Sequence, residues 1–350
     1  MGPIPGEARR SRLASNGDRP VFEVANRTYD WSDVVLAAIL WGEWQTLAGE
    51  TREGLACVLW LDQLGLELSG DEVQAEAKAF RSERNLYSAD ELSEWLAGWA
   101  LTSGEWLDSV RRRFLRTKWA AELERIVEEH PPDDDQVADL LWIEGVCSGV
   151  LEQAAQRLAG RAAGAAATGS SAEDVEAPTS ALEQARQFGF EPRRLGRICA
   201  LEDAFAQFRD GETSPDAVRK EIERNRLDWV RVEGEALAFA DHDVAREAAL
   251  SVREGMAFDE VARRAGVETG KLCRYLEEAE PELQPHLLSA TKGSLIGLVP
   301  GGEQFMLLRI QTKHVPTSED PDVRRRAEQA LLHRAVAREV TQRVRWVERL

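Results

Sequence analysis

Residues 252–262, VREGMAFDEVA, lie in the one part of the chain whose sequence predicts helices and strands together. Apolar residues at helical spacing predict helices at 243–254 and 258–265. Short apolar runs around them predict strands. The predicted strands are 229–232, 236–239 and 304–312. We therefore expect a small α+β domain at 229–315.

The sequence before this region predicts a helical domain. Residues 21–29 alternate briefly and contain a turn-prone asparagine, which is typical of a small hairpin. From there to about residue 160 the pattern is helical. Three capping boxes, in which a hydroxyl and a glutamate three residues later cap a helix start, support this assignment. They are Ser69 with Glu72, Ser88 with Glu91, and Thr102 with Glu105.

Composition divides the chain into six segments. Residues 1–20 contain Gly, Pro, Arg and Ser and are predicted to form a disordered leader. Residues 161–180 are rich in Ala, Gly, Ser and Thr, and we expect a linker there because such a segment buries too little apolar surface to offset its ordering entropy. The other predicted segments are a helical domain 21–160, a helical connector 181–228, the α+β domain 229–315 and a C-terminal helix 316–350.

Charge and composition exclude several classes of protein. The 350 residues carry a net charge of -18, which disfavours nucleic acid as a partner because its phosphates would be repelled. No apolar run approaches the roughly 18 residues of a membrane helix, and the N-terminus lacks the apolar segment of a secretory signal. We expect a cytoplasmic protein.

The four cysteines are widely separated, with no CxxC pair, so neither a zinc site nor a disulfide framework is predicted. They are interpreted as small, buried or half-buried apolar residues, and a reactive thiol is the alternative. No metal and no cofactor is expected.

The C-terminal segment is basic, in contrast to the rest of the chain. From residue 324 to the end there are eight arginines and three glutamates, and the apolar residues recur at helical spacing. Such a helix can lie on a membrane surface. We favour docking onto the acidic helical domain of the same chain, and exchange of the helix between two copies, giving a homodimer, stays open.

Two stretches together resemble the SurA/PrsA family of parvulin-type peptidyl-prolyl isomerase chaperones. The N-terminal stretch carries the resemblance in the hairpin-then-helix entry at 22–34 and in the runs 55–73 and 85–119. The second stretch resembles a parvulin domain in the pattern Gly255-x-x-Phe258, which leads into a short helix, and in a helix, turn and glycine at 288–293 followed by the final strand. The resemblance implies a mainly α fold: a SurA-like helical domain, closed by a C-terminal helix packing on it, and a parvulin-like α+β domain.

The parvulin resemblance fails at the catalytic positions. Active parvulins hold two histidines on neighbouring strands, in a hydrogen-bond network with Cys or Asp, beneath a proline pocket of Met and Phe. The resemblance places the pocket Phe and Met at Leu283 and Ala279, and one histidine at Met306. The other histidine falls at Glu235 or Ala236. This implies a protein without isomerase activity and without catalytic residues.

Two nearby residues could replace parts of that network. His242 follows the histidine-free strand and is predicted in a loop or at a helix start. Cys273 lies in the segment 270–273, which is interpreted as the remnant of a shortened active-site loop, and it is a candidate for the network thiol. Without an imidazole partner a thiol there would not be activated.

The predicted site is therefore an apolar surface that grips peptide. Leu283, Phe305 and Met306 are expected to form its pocket, with Leu237 and Phe239 contributing from the preceding strand. Extended peptide could also add as a strand to the edge of the sheet.

Most of the eleven tryptophans lie in the predicted helical domain. Trp95 and Trp99 are four residues apart and are expected to share a helix face. We predict that they line a peptide groove, where large rings gain contact area, and core packing is the alternative.

Cytoplasmic SurA-like proteins with a degenerate parvulin-like domain are similar to accessory proteins of ribosomal natural-product biosynthesis. This resemblance implies a non-catalytic, chaperone-like protein that binds a precursor peptide and protects it or presents it to tailoring enzymes. An active cytoplasmic prolyl isomerase and a general holdase for unfolded polypeptide are the alternatives.

Overall fold

The structure, a computed structural model, describes residues 16–169, 175–191, 193–301 and 304–348. Most of the predicted leader, 1–15, and the centre of the predicted linker, 170–174, lie outside the described residues. The chain divides into two compact units, the first made by Met1–Arg209 with Ala335–Leu350 and the second by Asp210–Arg334. The fold is mainly α with two small antiparallel sheets, as the sequence predicts at this level.

The first unit contains a three-stranded sheet and most of the helices. Its elements in chain order are β1 (Pro20–Val24), β2 (Arg27–Asp30), α1 (Trp31–Leu40), α2 (Glu43–Gln63), α3 (Gly70–Glu83), α4 (Ala89–Gly98), α5 (Ser103–Lys118), α6 (Leu123–Glu129), α7 (Asp134–Ser148), α8 (Val150–Thr168), α9 (Thr179–Gln187) and α10 (Arg193–Glu212) up to Arg209. Its core is built around Trp31, Trp44 and Trp142, whose side chains are fully buried.

Local sequence signals determine how these elements begin. Ala25 and Asn26 both have positive φ, as a two-residue hairpin turn with the twist of its strands requires, and the predicted hairpin is confirmed. All three predicted capping boxes are present, at the starts of α3, α4 and α5.

The C-terminal helix ends before the end of the chain. The predicted helix 316–350 is α15 (Pro321–Arg343), and it is followed by a short strand, β7 (Val344–Trp346). β7 pairs antiparallel with β1, and the ring of Trp346 lies 5.5 Å from that of Phe22. The prediction of helix to the end is wrong because pairing with β1 overrides the helical spacing of the last apolar residues. Of α15, only the part from Ala335 onward belongs to the first unit.

The predicted linker begins inside a packed helix. α8 continues to Thr168, and residues 162–165 are buried. A Cβ placed on Gly164 would lie 2.8 Å from ring atoms of both Phe205 and Phe208. The prediction of a linker from residue 161 is wrong because small residues here allow close helix packing, and the apolar surface they bury belongs to their neighbours.

The second unit contains a four-stranded antiparallel sheet in the order β4-β3-β6-β5. Its elements are α11 (Pro215–Arg224), β3 (Arg231–Phe239), α12 (His242–Arg253), α13 (Phe258–Ala265), β4 (Thr269–Tyr275), a 3₁₀ turn at Leu276–Glu278, α14 (Gln284–Ser289), β5 (Leu295–Gly301), β6 (Gln304–His314) and the first part of α15. The predicted helices 243–254 and 258–265 correspond to α12 and α13, and the predicted final strand to β6.

Two parts of this sheet differ from the prediction. The strands predicted at 229–232 and 236–239 form one strand, β3, because Gly234 keeps its pairing with β4. The pairing with β6 shifts register at Gly234, where β6 approaches so closely that a Cβ would clash with the carbonyl oxygen of Arg309. The segment 270–273 is part of strand β4 and is not a loop remnant, since it pairs along its whole length with β3.

α11 and the first part of α15 pack together in the second unit. Val218 and Ile222 of α11 share a buried cluster with Val323 and Ala327 of α15. The Arg334 guanidinium donates to both carboxylate oxygens of Glu221, at 2.7 and 2.5 Å, and Glu221 is 3% exposed. Hydrogen bonds from Arg334 hold the pKa of Glu221 below its ordinary value of 4.5.

We predict that Gly164→Ala lowers the free energy of unfolding by about 1–3 kcal/mol, because the added methyl group overpacks the contact with Phe205 and Phe208. Gly49→Ala is the matched control: Gly49 is a mid-helix glycine of α2, a Cβ added there would have no atom within 4 Å, and the change should stabilise by up to about 1 kcal/mol. Urea denaturation followed by circular dichroism measures both. A neutral or stabilising Gly164→Ala would mean that residues 161–168 are not packed in solution.

We predict that Glu221→Gln lowers the free energy of unfolding at pH 7 by about 1–2 kcal/mol, through loss of its charged hydrogen bonds. Because the pKa of Glu221 is lowered in the folded state, its stabilisation is complete above about pH 4.5 and is lost as pH falls through the folded pKa. The difference between wild type and variant should therefore shrink in denaturation curves below about pH 4.5. Asp216→Asn, which removes an exposed ion pair on the same helix, should change stability little at any pH.

Candidate functional site

The predicted pocket residues divide between the two faces of the β3–β6 sheet. Leu237 and Phe239 pack in a cluster with α12 and α13, and Phe305 packs against the same cluster. Leu283 belongs to a second cluster, formed with α14 and the 3₁₀ turn, and Met306 packs against that one. Neighbouring residues of a strand point to opposite faces, so Phe305 and Met306 cannot line one pocket. The expectation of a single pocket from Leu283, Phe305 and Met306 is wrong for this reason. We call the two faces the α12 face and the α14 face.

Most of these side chains are also inaccessible. Leu237, Phe239 and Leu283 are 0%, 2% and 6% exposed, whereas Phe305 and Met306 are half-buried. Buried core side chains stabilise the sheet and do not reach a peptide on the surface. Leu237, Phe239 and Leu283 therefore belong to the interior of the domain, and Phe305 and Met306 lie at its border.

Four of the positions that the resemblance assigns to catalysis lie together on the α14 face, and Glu235, the alternative to Ala236, points to the α12 face, where it pairs with Arg309. Ala279 and Leu283 are members of its buried cluster, and Ala236 and Met306 pack against it. All four side chains are apolar, so this cluster can neither donate nor accept a proton. The resemblance groups these residues in one site. In the structure they lie together on one face of the sheet, where they belong to its hydrophobic core.

The two candidate replacements lie on the other side of the sheet. His242 is the first residue of α12, where the sequence placed it at a helix start, and its ring lies 5.0 Å from that of Phe305 on the α12 face. Cys273 is exposed and pairs in register with Glu233, whose side chain points to the same face as Leu237. Neither residue can therefore take part in a hydrogen-bond network at the positions of Ala236 and Met306, which lie on the opposite face.

Trp95 and Trp99 have different environments within the first unit. Trp99 is 6% exposed, and its ring lies 5.1 Å from Trp31 and 6.4 Å from Trp142, so it is a core residue. Trp95 is half-buried, with its ring edge-on to Phe80 at 5.6 Å. The structure brings these two tryptophans into separate surroundings and forms no shared groove from them.

The first unit also contains a small pocket of about 60 Å³ between its helices, lined by both apolar and charged side chains. The Arg112 guanidinium donates to Glu144 at 2.6 Å, and the Ser109 hydroxyl donates to the same carboxylate at 2.9 Å. Burial raises the pKa of the neighbouring Cys147 thiol to about 12. These hydrogen bonds fix how α5 and α7 pack against each other. The thiol stays protonated and unreactive at neutral pH.

The two edges of the second unit's sheet differ in charge. β4 exposes Lys271 and Arg274, and charged side chains on an edge strand discourage pairing with another chain. β5 has no charged residue between Leu295 and Gly301, and Pro300 fits an edge strand because it has no N–H to contribute. The β5 edge therefore lacks the charges that protect the β4 edge, and its backbone is interrupted by one bulge between Ile296 and Val299.

A groove of about 460 Å³ runs beside β5. Arg253, the last residue of α12, lies on one side of it, and Glu282, His286 and Ser289 of the α14 region lie on the other. The remaining lining residues are Ala290, Ser294, Leu295, Ile296, Gly297 and Leu298. The groove combines an uncharged strand edge with several polar side chains.

The groove's three ionisable side chains are available to a ligand. Arg253, Glu282 and His286 are exposed. Each is without a side-chain hydrogen bond or ion pair to any residue that the structure describes. Many other arginines of the unit are paired, as Arg309 is with Glu235 and Arg326 with Glu277. The charges in the groove can therefore pair with a ligand without first breaking a bond within the protein.

The sequence analysis did not identify this groove. β5 was not among the predicted strands, and the groove's side chains come from three separate segments. The uncharged run 295–298 followed by Pro300 is the signal that could have indicated an edge strand. Which helices flank that edge depends on tertiary packing alone.

No known protein-family model matches the chain, and no curated protein is similar to it in sequence. Across the described ranges, no three His, Cys, Asp or Glu side chains are grouped so that they could hold a metal ion. Within those same ranges, no helix is both long and apolar enough to cross a membrane.

Proposed function

We propose that this protein binds an extended peptide at the β5 edge and holds it without chemical turnover. The observation that carries the proposal is an uncharged free strand edge beside a groove of about 460 Å³. The proposal keeps the peptide-binding class that the resemblance implies and moves the site from the apolar pocket to the sheet edge.

Strand addition supplies affinity from the backbone. β6 pairs with one side of β5, so the outward N–H and C=O groups of β5, on either side of its bulge between Ile296 and Val299, have no partner strand in the sheet. A peptide in extended conformation can satisfy them, each net hydrogen bond contributing about 0.5–1.5 kcal/mol. Residues of α12 and α14 flank the edge and would contact the peptide's side chains.

Absence of turnover is proposed from the chemistry of the α14 face. Twisting a prolyl peptide bond requires crossing a barrier of about 20 kcal/mol. Of the positions that the resemblance assigns to the two histidines, Ala236 and Met306 pack against an apolar cluster, and Glu235, the alternative to Ala236, is held in an ion pair with Arg309. A protein built this way can bind proline-containing peptide but has no group there to assist its isomerisation.

The client we propose is a precursor peptide of ribosomal natural-product biosynthesis, held for tailoring enzymes in the cytoplasm. This part of the proposal rests on the resemblance to SurA-like accessory proteins. The acidic chain, with a net charge of -18, would favour a client or leader with basic residues.

The strand-addition proposal predicts how backbone methylation of a peptide changes binding. The probe is a ten-residue peptide of alternating valine and threonine with one central glutamate followed by one lysine. N-methylation of two adjacent central residues removes an N–H group from each edge of the peptide. N-methylation of two alternate residues removes both N–H groups from the same edge and leaves the other edge intact. We expect isothermal titration calorimetry to show at least about tenfold weaker binding for the adjacent analogue only, because it alone loses backbone hydrogen bonds in either orientation.

Equal affinity of the two analogues would contradict strand addition. Hydrogen exchange locates the site independently: peptide should protect the amides of β5 and leave those of β4 unchanged. Protection of β4 would place the peptide on the other edge.

The absence of turnover has its own measurement. With a proline-containing peptide, we expect the cis–trans exchange rate in NMR spectra to equal the uncatalysed rate. Acceleration by the protein would establish an isomerase. Suppressed aggregation of unrelated unfolded proteins, without preference for any peptide, would favour a general holdase.

A further inference from the structure

We infer that the β5 groove selects peptides that carry an acidic and a basic side chain an odd number of residues apart. The inference rests on the proposed strand addition at β5 and specifies which peptides that site accepts. It follows from where Arg253 and Glu282 lie relative to the plane of the sheet.

Arg253 and Glu282 lie on opposite sides of the sheet. Arg253 ends α12, whose Ala245, Ala248 and Ala249 are buried in the cluster of the α12 face. Glu282 directly precedes Leu283, which is buried in the cluster of the α14 face. Because both charged residues line the same groove, a peptide in it has a basic side chain on one side and an acidic one on the other.

β5 itself shows the same division. Leu295 packs against the cluster of the α12 face, whereas the next residue, Ile296, is buried in that of the α14 face. Leu298 returns to the α12 face although it is three residues from Leu295, because β5 bulges between Ile296 and Val299 and Leu298 has a φ of 58°. A peptide strand added beside β5 continues the sheet, so its side chains also alternate between the two faces. One set of residues then points toward Arg253, and the residues between them point toward Glu282 and His286.

This geometry determines how far apart the acidic and the basic residue of a bound peptide must be, a requirement that we call the spacing rule. An acidic residue facing Arg253 and a basic residue facing Glu282 must differ by an odd number of positions. With an even separation both residues point to the same face, and one of them meets no opposite charge. Ion pairs of this exposure contribute about 0.2–1 kcal/mol each, so losing one match should weaken binding by up to about fivefold.

The test uses four ten-residue valine–threonine peptides of identical composition, each with one glutamate and one lysine separated by one, two, three or four positions. We expect calorimetry at low salt to give about three- to fivefold tighter binding for separations of one and three than for two and four. The preference should fade at high salt, because the ion pairs are screened.

Charge reversal gives a second, independent readout. In Arg253→Glu both sides of the groove are acidic, so the variant should prefer a peptide with two lysines at odd separation over the glutamate–lysine peptide. Arg263→Glu makes the same charge change on α13 outside the groove and is the matched control, expected to keep the wild-type preference. Arg253 is exposed, so the variant should fold, which circular dichroism checks.

The outcomes separate this inference from the proposed function. Equal binding of all four peptides with protection of β5 would overturn the spacing rule and leave strand addition intact. Failure of every peptide to bind would overturn both. An unchanged preference in Arg253→Glu would also overturn the spacing rule, since the selecting charge would then lie elsewhere.

Discussion

The alternation of side chains along β3 and β6 is the constraint on which the second unit depends. Residues one apart on these central strands enter different hydrophobic clusters, one under α12 and α13 and the other under α14. The sheet therefore needs helices on both faces, and both faces become core. Side chains that would line a pocket if one face were open, such as Leu237 and Leu283, stabilise the fold instead. What stays accessible is the perimeter, and there the two edge strands differ in charge.

A filled catalytic face and a free edge together suit binding better than chemistry. Proton transfer needs an ionisable side chain held at the reacting bond, and the α14 face offers Ala236 and Met306 at the proposed positions. Strand addition needs unpaired backbone groups and space beside the strand, and β5 lies at the end of the sheet next to the groove. The backbone would give affinity with little dependence on sequence. Arg253 and Glu282 would add the selectivity, because each charge lies on a different side of the peptide.

In the first unit, too, the conformation of a segment depends on the residues that pack against it. Residues 161–168 have the composition of a flexible linker, yet their small side chains let α8 approach Phe205 and Phe208. At the other end of the chain, Val344–Trp346 continue the apolar spacing of α15 but form a strand because β1 offers an open edge. In both places the partner, and not the segment itself, determines the conformation.

The sequence by itself determined the features that arise within a few residues. The hairpin turn at Ala25 and Asn26, the three capping boxes and the helices α12 and α13 all follow from local hydrogen bonds, positive φ and helical spacing. The apolar character of Ala236 and Met306 was also readable from the chain alone. Only the tertiary structure decided that β4 and β5 are strands, that Phe305 and Met306 face opposite clusters, and that Arg253 and Glu282 flank one groove. Those features depend on contacts between segments distant in sequence, and strand pairing and helix packing fix them only when the whole unit folds.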